Sequence, residues 1–267
     1  MHILRSIFKQ VLAALIFFTR LPLGRWVMVE ERFFQHLVPL WPLIGWLTGG
    51  VMAGVYALAH HVGLGVDISV VLALLARLLL TGALHEDGLA DFCDGFGGGR
   101  TRKRTLEIMK DSHIGSYGVL GLIMYYVLMC LLMASLMNRG MSPLIFVVVD
   151  AACKFLSSTI IWFLPYARRE EDAKNGMVYA RTSLGEKVLS LCFGILPIVV
   201  VCLIPYPALH LSLLSLLLSL SVAALCCTGL FFLMRRRLGG YTGDCCGATF
   251  LLSELTCYLM LNCLFEL

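Results

Sequence analysis

The chain has 267 residues, of which 59% are hydrophobic and only 14% are charged. An ordinary soluble domain carries about 25% charged residues, so this composition excludes a soluble globular protein and favours a membrane protein. The formal net charge of +4 is too small to indicate a nucleic-acid partner, and the eleven cysteines show no spacing typical of a zinc site.

An amphipathic segment occupies residues 1–23, where Arg5, Lys9 and Arg20 interrupt an otherwise apolar run. A signal peptide would need an uninterrupted apolar part and a cleavage site after small residues, and neither is present. We therefore predict a retained helix that lies in the membrane interface.

Seven apolar stretches follow, each close to the 20 residues that cross a hydrocarbon core of about 30 Å. Their predicted bounds are 37–59, 66–85, 114–137, 142–164, 187–205, 208–233 and 243–265. The predicted fold is all-α, a polytopic membrane bundle of about seven transmembrane helices preceded by the interfacial helix. We expect a single integral-membrane domain over 1–267, with the bundle at 37–265.

Lys and Arg are distributed unevenly between the predicted spans. Eighteen of the 21 lie in the N-terminal segment and in the second, fourth and sixth connections, whereas the alternate connections contain only Arg139. Basic residues collect on the cytoplasmic side of a membrane. The N-terminus and the long polar loops are therefore predicted to be cytoplasmic, and the C-terminus is predicted to face outside.

An acidic segment runs from Gly82 to Gly95, at the end of the second span. Its residues Asp87, Asp91 and Asp94 are spaced i, i+4 and i+7, which on one helix places the carboxylates within roughly 60° of one another. Carboxylates that close repel unless a cation neutralises them, and Mg²⁺ prefers oxygen ligands that it shares with a substrate phosphate. We predict a Mg²⁺ site here; the alternative is a solvated helix end rich in Asp.

The connection that follows the acidic segment brings further polar residues to the same side of the membrane. A glycine run at 97–99 is predicted to form a flexible link. Lys110, Asp111 and Ser112 then precede the third span, where Lys110 could hold a phosphate and Asp111 could supply a metal ligand. The alternative is a basic flank with a helix cap, because Asp and Ser favour N-caps.

A glycine-rich turn precedes the last span at the same membrane face. Gly240 and Gly243 suit a backbone whose N–H groups approach an anion closely, and Asp244 adds a fourth carboxylate to the predicted metal site. The alternative is a glycine turn that follows a basic flank.

Four ionisable residues fall inside the spans, where such groups are costly and usually paired or functional. Asp150 and Lys154 are four residues apart and are expected to neutralise each other. Glu254 could pair with Arg77 or reach the acidic site. Arg77 is predicted to support the acidic residues from the same helix.

Several motifs together resemble one family, cobalamin synthase (adenosylcobinamide-GDP ribazoletransferase). They are Phe18-Thr-Arg-Leu-Pro22, His85-Glu-Asp-Gly-Leu-Ala-Asp-Phe-Cys-Asp-Gly95, Glu107-Ile-Met-Lys-Asp-Ser112, Tyr166-Ala-Arg168 and Leu238-Gly-Gly-Tyr-Thr-Gly-Asp244. The resemblance extends from near the N-terminus into the last span. One departure is Lys154, where the family pattern leads us to expect Arg.

The resemblance implies an enzyme that joins adenosylcobinamide-GDP to α-ribazole or its 5′-phosphate and releases GMP. It implies Mg²⁺ bound by Asp87, Asp91 and Asp94, to which Asp244 adds the fourth carboxylate of the predicted metal site. Asp91 and Asp87 are the expected catalytic residues; the resemblance does not identify the base, for which we choose Asp91. The residues expected to bind the substrates are His85, Lys110, Asp111, Ser112, Arg168, Arg181, Gly240, Thr242, Gly243 and Glu254.

The expected location is the bacterial cytoplasmic (inner) membrane, with lipid as a further partner and a homo-oligomer as a possibility. Two other classes of protein share parts of this pattern. A CDP-alcohol phosphotransferase or prenyltransferase would also place carboxylates near the membrane surface, but the segment from Asp87 to Asp91 lacks the Arg of the CDP-alcohol motif. A cation or small-solute transporter would use Asp150, Lys154 and Glu254 as its path.

Overall fold

The computed structural model describes residues 2–168, 179–203 and 212–265, and the secondary structure there is helical apart from one isolated bridge between Tyr166 and Tyr241. Two short 3₁₀ turns lie at Pro22–Arg25 and Val38–Leu40. The α-helices are α1 (His2–Phe18), α2 (Glu31–Phe34), α3 (Trp41–His61), α4 (Val66–Thr81), α5 (Leu84–Gly98), α6 (Arg102–Ile108), α7 (Ser116–Asn138), α8 (Ile145–Phe163), α9 (Leu184–Cys202), α10 (Leu213–Leu238) and α11 (Gly243–Cys263).

Among the described residues, six helices are long and apolar enough to cross a membrane, and the bent pair α4–α5 gives a seventh candidate. The six are α3 with the turn before it, α7, α8, α9, α10 and α11. This confirms the predicted polytopic helical membrane bundle. The span predicted at 208–233 is displaced, because α10 ends at Leu238 and begins only at Leu213. Residues 204–211, which include parts of two predicted spans, lie outside the described residues.

A right-angle bend separates α4 from the acidic helix α5. Gly82 (φ 63°) and Ala83 (φ 59°) both adopt the left-handed conformation, and the two helices differ in direction by 90°. Left-handed residues end helices, and glycine adopts this conformation at no steric cost. The predicted span 66–85 is therefore four residues too long. Arg77 and Asp87 lie on different helices, so the prediction that they share one is wrong.

The glycine run after the acidic residues is part of α5. Gly97 and Gly98 form its last turn, and a Cβ on Gly97 would lie 2.7 Å from the ring of Tyr117 at the start of α7. The predicted flexible link at 97–99 is therefore wrong, because these glycines permit close packing between helices.

The ends of α4, α8 and α10 and the starts of α7 and α11 meet at one face of the bundle. Arg20, which follows α1, donates its backbone N–H to the Leu80 carbonyl near the end of α4 (2.7 Å). The segment after α8 joins the segment before α11 through the Ala167 N–H and the Tyr241 carbonyl (2.8 Å). The connections that are rich in Lys and Arg are therefore at the same face.

The opposite face contains the end of α7, the start of α10 and the end of α11. The Arg139 guanidinium donates to the Asn262 carbonyl (3.1 Å), and the Ser215 hydroxyl donates to the Leu264 carbonyl (2.8 Å). The helices thus alternate in direction, as the predicted alternation of basic connections requires. Which face is cytoplasmic stays a prediction.

A charge-balanced cluster lies inside the bundle, where α4, α7, α8 and α11 meet. Arg77 pairs with Glu254 (2.6 Å) and donates to the Tyr125 hydroxyl (2.8 Å), and Lys154 pairs with Asp150. The four ionisable side chains are at most 2% exposed. Two cations and two anions therefore compensate one another, which confirms the predicted Asp150–Lys154 pair and favours pairing over substrate binding for Glu254.

Helix α1 packs one side against the bundle and leaves the other exposed. Leu12, Ala13 and Ala14 are buried, whereas Ile7 and Phe8 are more than half exposed. The helix is thus amphipathic as predicted, and its contact with the membrane interface stays a prediction.

Candidate active site

Helices α5 and α11 cross at a backbone contact that requires glycine on both. A Cβ on Gly88 would lie 2.9 Å from the carbonyl oxygen of Asp244, and a Cβ on Gly247 would lie 3.1 Å from the carbonyl oxygen of His85. Because no side chain intervenes, the start of α11 lies directly on α5. The crossing places Asp87 and Asp244 on the wall of one cavity.

The start of α11 is held by the segment that follows α8. The Tyr241 N–H donates to the Pro165 carbonyl (2.9 Å), and the Ala167 N–H donates to the Tyr241 carbonyl (2.8 Å). The Thr242 side chain accepts from the Cys245 N–H (3.3 Å) and thereby caps α11, as Thr commonly does at an N-cap. These bonds fix Arg168, the next residue along, beside Asp244.

A cavity of about 130 Å³ lies at the crossing of α5 and α11. Asp87, Gly243 and Asp244 supply its polar boundary. Burial raises the pKa of Tyr166 and Tyr179, so their hydroxyls stay neutral. The rest of the wall is mainly aromatic and aliphatic and includes Phe17, Phe18, Val38, Trp41, Leu84, His85, Ile161, Tyr166 and Tyr179.

Two buried ring nitrogens in this wall lack hydrogen-bond partners among the described residues. The Trp41 indole stacks between Phe18 (ring centroids 5.7 Å apart) and His85 (5.8 Å). Within the part of the chain that the structure describes, neither Trp41 Nε1 nor His85 Nε2 has a hydrogen-bond partner. Because most buried polar groups are hydrogen-bonded, such a pair in a cavity wall points to a ligand.

Arg168 lies between the cavity and a second, open groove. Its side chain is 4% exposed, its Nη2 is 3.8 Å from the Asp244 carboxylate, and its Nε and Nη1 have no partner in the described residues. Arg168 also lines a groove of about 620 Å³ together with Arg102, Lys103 and Lys110. Buried, unsatisfied guanidinium N–H groups beside several cations are suited to a phosphate or pyrophosphate.

Asp94, predicted as a metal ligand, joins α5 to the start of α7. Its two carboxylate oxygens accept the N–H groups of Gly115 (2.7 Å) and Gly118 (2.9 Å). These residues are glycines because a Cβ on either would lie 2.9–3.1 Å from the Asp94 carboxyl carbon. Asp94 is therefore buried and acts as a remote cap, whereas Asp87 is exposed and Asp91 is half-buried.

The other predicted residues divide into four groups. His85, Asp87, Gly243 and Asp244 share the cavity, and Lys110 and Arg168 share the groove. Asp111, Ser112 and Arg181 are exposed and line neither, and the Asp111 carboxylate accepts from His113, which lowers the pKa of Asp111. Gly240 packs against the backbone of 165–167, Thr242 caps α11, and Glu254 lies in the internal cluster.

Arg169 and Lys174, counted among the basic loop residues, lie outside the described residues.

The aromatic wall was missed by reasoning from the sequence. Phe17, Trp41 and Tyr179 were not predicted as site residues. The available signal was indirect: Phe18 and Tyr166 belong to the motifs that carry the family resemblance.

The described residues contain no group of three or more His, Cys, Asp or Glu side chains placed to hold a metal. Two carboxylates on one cavity, however, are a usual protein contribution to Mg²⁺, which keeps several waters and shares substrate phosphates. Asp87 and Asp244 meet that requirement, so the donor set fits Mg²⁺.

A membrane-embedded helix bundle with paired carboxylates, a buried guanidinium and a basic groove at one end has the parts of a membrane enzyme that transfers a phosphate-linked group. Comparison with protein families gives the identity within that class. The family described as cobalamin-5-phosphate synthase (CobS) matches residues 10–262, and the chain belongs to this family.

Relatives match along nearly the whole chain. A protein of Shewanella woodyi is 35% identical over 263 residues, which cover 98% of both chains. A protein of Shewanella baltica is 35% identical over 94% of this chain and 92% of its own, and one of Shewanella piezotolerans is 32% identical over 94% and 93%. All three are named adenosylcobinamide-GDP ribazoletransferase. Comparison with solved structures finds no significant match.

Proposed function

We propose that this protein is an adenosylcobinamide-GDP ribazoletransferase. It joins adenosylcobinamide-GDP to α-ribazole or α-ribazole 5′-phosphate and releases GMP, so the product is adenosylcobalamin or its 5′-phosphate. Family membership and the names of the relatives support this reaction. The structural observation that carries it is the position of Arg168, buried between the Asp87–Asp244 cavity and the basic groove.

The charges of the site match those of the pyrophosphate that the reaction must hold. Asp87 and Asp244, with Asp91 one turn further along α5, would hold Mg²⁺ as oxygen ligands. The bound metal supplies neutralisation of the pyrophosphate charge and orients its oxygens. Arg168 is placed to donate its unpartnered N–H groups to the same phosphates. Asp94 contributes indirectly, because its bonds to α7 hold α5 in place.

The reaction is a displacement at phosphorus. The 3′-hydroxyl oxygen of the ribazole attacks the phosphorus that carries the cobinamide arm, and a new P–O bond forms. The bond from that phosphorus to the bridging oxygen breaks, and its electron pair leaves on the phosphate of GMP. The hydroxyl proton passes to a carboxylate, for which we propose Asp91. The groove cations Arg102, Lys103 and Lys110 stabilise the charge that develops on GMP.

The protein would work in the bacterial cytoplasmic membrane with the site face in the cytoplasm. The uneven distribution of Lys and Arg supports this orientation, because the basic connections share the face that contains the cavity. Exposed apolar side chains such as Leu79 and Leu131, at 66% and 64% exposure, would contact lipid. A homo-oligomer is compatible with this arrangement.

Transport is less well supported than transfer. The ionisable residues that would form a path, Asp150, Lys154 and Glu254, are fully buried and compensated by one another and by Arg77. The carboxylates that line a cavity lie instead at the bundle end, beside the basic groove.

The proposed function is tested with the purified protein in detergent or lipid nanodiscs. Adenosylcobinamide-GDP, α-ribazole 5′-phosphate and Mg²⁺ are added together and singly, and GMP and the corrinoid product are measured by chromatography. We expect equimolar GMP and adenosylcobalamin 5′-phosphate only when both substrates are present, with loss of both products on chelation of the metal. A folded protein that forms neither product, or that releases CMP from a CDP-alcohol with an alcohol acceptor, would contradict the assignment.

A further inference from the structure

The cavity at the α5–α11 crossing has an apolar half that the phosphate chemistry does not explain. Asp87 and Asp244 supply its polar boundary, but Phe17, Trp41 and Ile161 belong to a wall that is mainly aromatic and aliphatic. A site for phosphate alone would not need aromatic walls. The wall therefore indicates that a flat, largely apolar group binds beside the carboxylates.

The cavity can enclose part of a planar base. Its volume is about 130 Å³, and an apolar cavity of about 150 Å³ binds benzene. One six-membered ring therefore fits inside, and the rest of a two-ring base would lie at the opening of the cavity. The rings of Phe18, Trp41 and His85 stack with interplanar angles of 3° and 10°. Phe18 and His85 cover the two faces of the Trp41 indole, so Trp41 can offer a ligand only the edge of its ring.

We propose that this cavity binds the benzimidazole base of the acceptor, α-ribazole or its 5′-phosphate; this inference rests on the proposed function. The reaction brings three bases to the enzyme: benzimidazole in the acceptor, and guanine and the adenine of the adenosyl group in adenosylcobinamide-GDP. Both purines carry several donors and acceptors on their edges, and each one that enters an apolar cavity without a partner weakens binding. Dimethylbenzimidazole in α-ribazole has a single free ring nitrogen, an acceptor.

The unsatisfied nitrogens of the wall match that single polar atom. Trp41 Nε1 is a donor without a partner in the described residues, and its ring is part of the cavity wall. An indole N–H can satisfy one acceptor nitrogen, whereas a purine would need additional partners. We therefore assign Trp41 as a specificity residue for a base with one acceptor nitrogen.

The position of Arg168 separates the two substrates. Arg168 contacts Asp244 at the cavity and also lines the basic groove. A base in the aromatic cavity would place its ribose near Asp87 and Asp244, and the groove beyond Arg168 would hold the departing GMP. The ribazole hydroxyl would then attack the phosphorus from one side and GMP would leave from the other, as an in-line displacement requires.

The test fills the cavity without touching the charged residues. Ile161→Phe adds a ring to the cavity wall, and Ile123→Phe is the matched control because Ile123 is 53% exposed on α7. We expect Ile161→Phe to raise KM for α-ribazole 5′-phosphate at least tenfold and to leave KM for adenosylcobinamide-GDP within twofold of wild type. The control should change neither constant.

A second variant tests the proposed hydrogen bond from Trp41 Nε1 to the base, and its result does not depend on whether Ile161→Phe folds. Trp41→Phe keeps an aromatic ring but removes the N–H. We expect it to raise KM for α-ribazole 5′-phosphate about tenfold, and to leave unchanged the KM for an analogue in which the free ring nitrogen is replaced by CH. If the role of Trp41 were purely structural, Trp41→Phe would raise the KM for α-ribazole 5′-phosphate and the KM for the analogue equally.

The outcomes separate this inference from the proposed function. An inactive wild-type protein overturns the transferase assignment and the base site with it. An active wild type whose Ile161→Phe variant has an unchanged acceptor KM overturns the base site alone. A rise in KM for adenosylcobinamide-GDP only would place a purine of that substrate in the cavity, and unchanged kinetics with a change in co-purified lipid would assign the cavity to an acyl chain. Both results contradict the proposal.

Discussion

Replacing Arg77 by Met tests the charge-balanced cluster inside the bundle. The substitution keeps a long side chain but removes the cation that pairs with Glu254 (2.6 Å) and lies 3.7 Å from Asp150. Removal of one partner from a buried ion pair typically costs about 3–5 kcal/mol, because the remaining charge is buried without compensation. For a chain of this size we expect the unfolding temperature to fall by roughly 10 °C.

The assay is thermal unfolding of the purified protein in detergent, with two comparisons. Arg139→Met is the matched control, because Arg139 is exposed and its side chain contacts the Asn262 carbonyl and the ring of Phe265, so its effect should be at most about 1 kcal/mol. The double variant Arg77→Met with Glu254→Met removes both charges of the pair and should recover most of the lost stability. Unfolding of Arg77→Met at the control's temperature, or a double variant less stable than Arg77→Met alone, would refute the pairing argument.

Three further predictions concern the crossing and the site. Gly88→Ala should lower the free energy of unfolding by about 1–3 kcal/mol and reduce GMP release, because its Cβ would meet the Asp244 backbone at 2.9 Å. The control Gly54→Ala has open space around the new Cβ and should unfold no earlier than wild type in the same thermal assay. Equal effects of the two substitutions would contradict the close crossing of α5 and α11. Asp94→Asn should lower the free energy of unfolding by about 1–3 kcal/mol in that assay, because the N–H of Gly115 or Gly118 loses its acceptor. The Mg²⁺ concentration for half-maximal activity should not change, and a large increase in it would indicate that Asp94 binds the metal. Arg168→Lys should raise KM for adenosylcobinamide-GDP about tenfold or more, because an ammonium group cannot donate two parallel hydrogen bonds as a guanidinium group does. An unchanged KM in steady-state assays would show that Arg168 does not contact the pyrophosphate.

The membrane spans could be predicted because their signal is local. A run of about 20 apolar residues is sufficient to identify a crossing helix, and the alternation of Lys and Arg orders the connections. The bend at 82–83 was not predicted, because the apolar run continues through Leu84 and only Gly82 indicates a helix end. Ala83 in the left-handed conformation gives no sequence signal of its own.

The candidate site could be predicted only where its residues are clustered in sequence. The spacing of Asp87, Asp91 and Asp94 indicated a shared face but could not separate a metal ligand from a helix cap. The role of Asp94 depends on N–H groups 21 and 24 residues away, at Gly115 and Gly118. The aromatic wall is drawn from segments spread over the whole chain, so only the packed bundle brings it together.

The most direct test of the transferase site is the rate of GMP release by Asp87→Asn under saturating substrates and Mg²⁺. Asp67→Asn is the matched control, because Asp67 is an exposed carboxylate in the first turn of α4, at the opposite face of the bundle. We predict that Asp87→Asn lowers the rate at least 100-fold, that its unfolding temperature stays near that of wild type, and that Asp67→Asn retains full activity. Release of GMP by Asp87→Asn at the wild-type rate would contradict the central claim that the α5–α11 crossing forms the active site.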